Sequence, residues 1–294
     1  MTGRARLCIV GVWLAGVAVA GPAAAQPSRP TPALPTLTAI GRRAVLRVGM
    51  YPGLAPFVAV AADADELRRL SHASDAVTRA SDGRAVAGFD VDLAAAAARA
   101  LGVRLEIVLV ARFDELLPGL VAGRYDVVMS GLTRTLTRAR TVAFSDPYFA
   151  SGLQVLVRDQ ARTATLPELG RARGRVAVRG GTTAEAFARA ALAGASVRPL
   201  PTDEAVWRAI EQGDADAVVI DYVSARDAEV RGHLRVRLRP LEDRRFTVEH
   251  FAFAVRLGDR DWLGWLNLML RETKAAGEFH ALAARYNAWF RSER

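Results

Sequence analysis

Residues 103–131 read VRLEIVLVARFDELLPGLVAGRYDVVMSG. Val103 to Val110 is a run of aliphatic and β-branched residues and predicts a strand. Phe113 to Ala122 reads as an amphipathic helix closed by Gly123, and Asp126 to Ser130 as a short buried strand ending at Gly131. A strand, a helix and a second strand in one short stretch make a crossover unit, the building block of α/β proteins with mainly parallel sheets.

The same grammar extends in both directions. Val45-Leu46-Arg47-Val48-Gly49 alternates into a first strand. Gly88-Phe89-Asp90 opens an Ala-rich helix, with Asp90 as N-cap, Asp92 in the first turn and Gly102 as terminator. Downstream, Arg175-Val176-Ala177-Val178 is a strand running into Gly180-Gly181-Thr182-Thr183, which opens a helix through Leu192. Thr202 caps a helix that stops at Gly213, Ala217 to Asp221 is a strand, and a helix starts at Tyr222. Residues 234–238 and 251–255 read as further strands, and two amphipathic helices, 259–276 and 278–290, end the chain.

Composition removes much chemistry. Of 294 residues, 51% are hydrophobic and 24% charged, a globular balance. The one cysteine, Cys8, excludes a disulfide framework and a Cys-based zinc site. Lys274 is the one lysine, so there is no Walker loop. No HExxH or GxSxG occurs, and neither cofactor nor metal is expected. The net charge of +9 comes from scattered arginines without an aromatic-interleaved basic stripe, so no nucleic-acid partner is expected.

At the N-terminus, Arg4 and Arg6 precede an uncharged run, 7–20, and then Ala23-Ala24-Ala25. The run is shorter than the roughly 20 residues that span a bilayer, so it predicts a signal peptide cut after Ala25, without a stable membrane anchor. Residues 26–43 are read as a disordered spacer.

Ligands of open α/β sheets sit beyond the carboxyl ends of the strands. Ser130, Gly131, Thr133, Thr182, Thr183 and Asp221 fall there, and Arg138 follows closely. An arginine to clamp a carboxylate, a helix start and an aspartate suited to an ammonium fit an α-amino acid zwitterion.

Three ordered motifs sharpen this: Gly88-Phe89-Asp90-Val91-Asp92-Leu93-Ala94, then Phe113-Asp114-Glu115-Leu116-Leu117-Pro118-Gly119-Leu120, then Ser130-Gly131-Leu132-Thr133 with Arg138 and Phe144-Ser145-Asp146-Pro147-Tyr148. The chain resembles the bacterial extracellular solute-binding proteins, family 3, which bind polar amino acids for ABC importers. The resemblance implies a two-lobed periplasmic-binding-protein (type II) fold, with lobe 1 at 44–154 plus 255–294 and lobe 2 at 155–254. Hinge crossovers are expected near 154–156 and 253–255. It also implies Arg138 as carboxylate clamp beside Ser130, Gly131 and Thr133, Thr182 and Thr183 as lobe 2 contacts, Asp221 for the amino group, and Phe113 as a ring stacked on the ligand. The expected protein is a monomer that hands its ligand to an ABC permease.

Two departures bear on the ligand. Basic-amino-acid binders of the family tend to carry an acid and then a Tyr after the first strand, where this chain has Tyr51 and Leu54; neutral or polar ligands are therefore expected. The stretch 58–85 is longer than the usual hairpin, with helical character over 62–70. The second function the resemblance allows is a cyclohexadienyl dehydratase on the same fold. Its pattern suggests a Glu three residues past the lobe 2 Asp, where this chain has Ser224, and a Glu-Lys pair near the return crossover, where it has Glu249-His250.

Overall fold

The computed structural model describes residues 35–61, 78–232 and 234–290. The expected signal peptide, residues 26–34 of the spacer and the segment 62–70 lie outside the described residues. Two five-stranded sheets organise the fold. In the first, the order is Arg104–Leu109, Val45–Met50, Val127–Val128, Ala254–Arg256 and Val142–Phe144. The first three run parallel, with Val48 opposite both Ile107 and Val127, and Ala254–Arg256 is antiparallel to its neighbours. In the second, Ser196–Leu200, Arg175–Arg179 and Ala217–Asp221 run parallel, and Leu153–Arg158 and Leu238–Pro240 complete the sheet. A small antiparallel sheet of Gly53–Leu54, Val58–Val60, Ala85–Ala87 and Thr78–Arg79 adjoins the first lobe.

The sheets form because their strands are apolar on both faces. Val176, Val178, Val218 and Val219 are all buried, as strands covered by helices on each side require. One side of the second sheet packs Ala184 and Ala188 of the helix Thr183–Ala191 and the Leu192 that caps it, and the other packs Val206 and Ile210 of Asp203–Gln212. In the first lobe, Trp262, Leu266 and Leu270 lie one helical turn apart on Arg260–Ala275 and are buried against Leu46, Val48 and Val127. Trp262 donates its ring N–H to the Asp126 carbonyl at 3.1 Å, so the largest core side chain carries no unpaired polar atom.

The lobes are connected by an antiparallel pair, Phe149–Ser151 with Glu249–Phe251. The crossovers thus precede the expected positions by a few residues: Gln154 already pairs with Ile220 in the second sheet, and Val255 with Ala143 in the first. Gly152 separates Phe149–Ser151 from Leu153–Arg158, and a Cβ there would stand 2.3 Å from the Thr247 carbonyl oxygen.

Two further expectations are corrected. The stretch read as spacer contains a helix, Thr36–Arg43. It is held by tertiary contacts: Ile40 is fully buried, Thr36 donates to Asp259, Arg256 donates to Thr36 at 2.6 Å, and Arg43 pairs with Asp126. The second concerns Asp90, which lies inside the helix Phe89–Ala100 while Gly88 is the N-cap at φ +141°. A Cβ on Gly88 would meet the Phe57 carbonyl oxygen at 2.2 Å. Asp90 is instead a fully buried strut of the site.

Candidate functional site

The carboxyl ends of the parallel strands in both sheets border one cavity of about 30 Å³. That holds one or two water molecules, so a larger ligand would need the arginine side chains or the lobes to yield. Eight of the ten residues expected from sequence line it: Leu54, Phe113, Gly131, Thr133 and Arg138 from the first lobe, and Thr182, Thr183 and Asp221 from the second.

The other two stand behind the wall. Ser130 is fully buried and accepts the Tyr51 backbone N–H at 2.9 Å, tying together the loops that leave two neighbouring parallel strands. Tyr51 packs edge to face on Phe113, with centroids 5.8 Å apart. Neither is among the residues that line the cavity.

Gly131 is fixed by Asp90, whose carboxylate accepts the Gly131 N–H at 2.6 Å and the Tyr148 hydroxyl at 2.9 Å. Burial pushes the Asp90 carboxyl up to about 7 against the pull of these two donors. Gly131 has φ +52°, the left-handed region that favours glycine, and a Cβ on it would also press on the Leu54 methyl at 2.2 Å.

Arg138 opens a short 3-10 turn, Arg138–Arg140. Its Nη1 donates to the Thr133 carbonyl at 2.7 Å and its Nη2 crosses the cleft to the Gly181 carbonyl at 3.1 Å. Burial brings the guanidinium down to about 10, opposed by the nearby Glu249 charge. Both partners are neutral carbonyls, and no carboxylate among the described residues is bonded to Arg138.

Asp221 ends the strand Ala217–Asp221 and caps the helix Tyr222–Arg231, accepting the Val223 N–H at 2.8 Å. Ser151 donates its hydroxyl to the same oxygen at 2.7 Å, joining Asp221 to the crossing strands. Burial pushes its carboxyl up to about 7, and Glu249 adds to the rise. Glu249 is 4% exposed and accepts the Thr247 hydroxyl at 2.9 Å; its second oxygen has no hydrogen-bond partner among the described residues. Thr182 is the N-cap of Thr183–Ala191, but its hydroxyl donates back to the Arg179 carbonyl at 2.6 Å and does not cap the helix.

Sequence reasoning missed Arg179 and Asp203. Arg179 closes the strand Arg175–Arg179, and its Nη1 donates to Asp203 at 3.1 Å and to the Gly53 carbonyl across the cleft at 3.3 Å. Its guanidinium lies 4.6 Å from the Phe113 ring centroid and 5.2 Å from that of Tyr51. The signal was positional: an arginine as the last residue of a buried strand, immediately before a Gly-Gly turn, emerges at the same sheet edge as Asp221.

Two α/β lobes joined by paired crossing strands, with a charged cavity between them, define a two-lobed cleft protein that encloses a small polar ligand. Residues 75–290 match the bacterial extracellular solute-binding proteins, family 3, and the chain belongs to that family. It is 34% identical over 212 residues to a probable histidine-binding protein of Neisseria gonorrhoeae, covering 69% of this chain and 75% of that one. It is also 34% identical over 156 residues to a cyclohexadienyl dehydratase of Pseudomonas aeruginosa, spanning 55% of the enzyme and 52% of this chain. Among solved structures, an arginine-binding protein of T. maritima matches with a TM-score of 0.71 and 32% identity, covering 87% of this chain and 99% of the other. An ancestral amino acid-binding protein described as a precursor of cyclohexadienyl dehydratase matches with a TM-score of 0.71 and 33% identity, covering 87% of this chain and all of the other. Family members are extracellular or periplasmic binding proteins, most of the relatives named here bind amino acids, and no described helix is long and apolar enough to cross a membrane.

Proposed function

We propose that the cleft captures a neutral or polar amino acid, not a basic one, in the periplasm and delivers it to an ABC permease. The observation that carries this reading is the pairing of Arg138 and Asp221 on one cavity, one from each lobe. Arg138 has only carbonyl partners to exchange for a ligand carboxylate, a charge-assisted bidentate pair in place of neutral ones. Asp221 supplies the opposite charge for the ammonium. Phe113 and Leu54 offer apolar surface for a side chain. Relatives named for cystine and glutamine match this ligand class, those named for histidine, arginine or lysine/arginine/ornithine match a basic one, and the choice here rests on the cleft residues.

The expected carrier is a monomer, released after Ala25 and closing lobe 1 on lobe 2 about the ligand. A thermal-shift panel of the twenty amino acids plus prephenate tests the reading. A ligand at 100 times its Kd stabilises the protein by about 2.7 kcal/mol. A panel in which no amino acid raises the melting temperature refutes it.

One arrangement favours a second reading, an enzyme like the dehydratase relative. Asp221 and Glu249 are carboxylates in one buried electrostatic environment, and a protonated carboxyl is what expulsion of hydroxide requires. Against it, the cavity position three residues past Asp221 is Ser224, a hydroxyl too weakly acidic for the role. Conversion of prephenate to phenylpyruvate well above the spontaneous rate, lost in Glu249→Gln, would establish the enzyme.

A further inference from the structure

The surroundings of Arg179 are those of a bound cation. Two aromatic rings lie within 5.2 Å of its guanidinium carbon, and the carboxylate of Asp203 and the Gly53 carbonyl accept from the same nitrogen. Both members of the ion pair are buried, at 10% and 9% side-chain exposure. Aromatic faces, a desolvated carboxylate and a backbone carbonyl together make a receptor for a guanidinium or ammonium group. The receptor is assembled across the cleft: Tyr51, Gly53 and Phe113 belong to the first lobe, Arg179 and Asp203 to the second. The fit is loose, because the buried Arg179 Nε has no hydrogen-bond partner among the described residues.

This slot is continuous with the proposed ligand site. Phe113 carries Arg179 and, 5.6 Å from its centroid, also Arg138. Asp203, Arg179 and Asp221 line the same cavity. A ligand held by its carboxylate at Arg138 and its ammonium at Asp221 would therefore share its cavity with the Arg179 guanidinium and the groups around it.

We propose that Arg179 is a specificity-determining residue: a cation supplied by the protein fills the slot made by Tyr51, Phe113 and Asp203, and the cleft thereby rejects amino acids with a basic side chain. The proposal rests on the reading of the cleft as an amino-acid site. A lysine or arginine ligand would have to place a second cation beside a buried one, or expel Arg179 and leave it without its carboxylate; either is costly in a desolvated site. Neutral side chains meet neither obstacle. Removing the guanidinium should turn the same slot into a receptor for basic ligands, with Asp203 as the partner.

The experiment compares wild type, Arg179→Ala and Arg179→Ala/Asp203→Asn, each verified as folded by circular dichroism and a cooperative melt. Millimolar methylguanidinium, with methylurea as the uncharged control, should raise the melting temperature of Arg179→Ala alone. Calorimetric titration should show the ratio of arginine to glutamine affinity rising at least about 30-fold in Arg179→Ala, or about 2 kcal/mol, and falling back in the double variant. Equal response of wild type and Arg179→Ala to methylguanidinium, or an unchanged affinity ratio, overturns the proposal. Tight arginine binding by the wild type overturns it whether or not the variants fold. Rescue by methylguanidinium with no amino acid bound by any of the three would instead bring down the amino-acid reading, and the specificity role with it, while leaving the slot a cation receptor.

Discussion

Two arginines cross the same cleft in opposite directions. Arg138 leaves the first lobe and donates to the Gly181 carbonyl of the second; Arg179 leaves the second and donates to the Gly53 carbonyl of the first. They differ in what neutralises them. Arg179 has its carboxylate, Asp203, at 3.1 Å, whereas among the described residues Arg138 is bonded to carbonyls alone. A buried arginine with its own carboxylate belongs to the wall. One bonded only to carbonyls keeps its charge for an incoming anion. The two side chains share the Phe113 ring, so residue type and location do not separate them; the partner does.

The contrast predicts different consequences for the two deletions. Arg179→Ala leaves Asp203 buried without its cation, and breaking such a pair costs roughly 3–5 kcal/mol of folding stability. Urea unfolding measures this; a loss below about 1 kcal/mol would mean that the pair is solvated and the distinction between the arginines is false. Arg138→Ala should cost less stability, since two carbonyls lose a donor and the Glu249 carboxylate loses a nearby cation, but no bonded ion pair is broken. Its main effect belongs to affinity, a loss of roughly 3 kcal/mol or about two orders of magnitude in Kd. Unchanged affinity by calorimetry would make Arg138 a bystander.

Asp221→Asn tests the other pole of the zwitterion. The amide retains an acceptor for the Val223 N–H and the Ser151 hydroxyl but gives up the charge opposite a ligand ammonium. Loss of about 2 kcal/mol in affinity for an amino acid is expected, with no loss for its des-amino analogue. Equal wild-type affinity for the two ligands would refute the zwitterion arrangement.

Much of this was legible in the sequence because it rests on local chemistry. The Ala217–Asp221 strand and the cap at its end are encoded within a few residues, as is Thr202, which accepts the Ala205 N–H as a helix cap. Long-range partners were not legible. Asp90 looks like a helix cap until Gly131, 41 positions away, is seen donating to it. Ile40 and Thr36 look like linker until Asp259 and Arg256 are brought beside them. Arg179 is the sharpest case: in a chain whose basic residues are nearly all arginine, its type carries no information, and only the fold sets it between Tyr51 and Phe113. The crossovers expected near 154–156 and 253–255 from the resemblance are set a few residues earlier by the pairing of Phe149–Ser151 with Glu249–Phe251, about 100 positions apart.

The smallest expected effect is the pH dependence of the pole opposite Arg138. Arg138, brought down only to about 10, stays charged across this range, but Asp221 does not, since burial pushes its carboxyl up to about 7. An ammonium ligand requires the ionised form, so binding must drive a proton off Asp221. As pH falls through 7 the carboxylate takes up that proton and affinity for an amino acid weakens; as pH rises above 7 it levels off. With half-ionisation near 7, the drop from pH 8 to pH 6.5 amounts to about fourfold, and tenfold per unit below that. Two controls assign the titration. The des-amino analogue should show no such decline, and neither should an amino acid binding to Asp221→Asn. Calorimetry at pH 6.5 in buffers of different ionisation enthalpy should register proton release for the wild type. An affinity flat from pH 8 to 6, with no buffer dependence, would mean that Asp221 is ionised before the ligand arrives, and that both poles of the site are charged in advance.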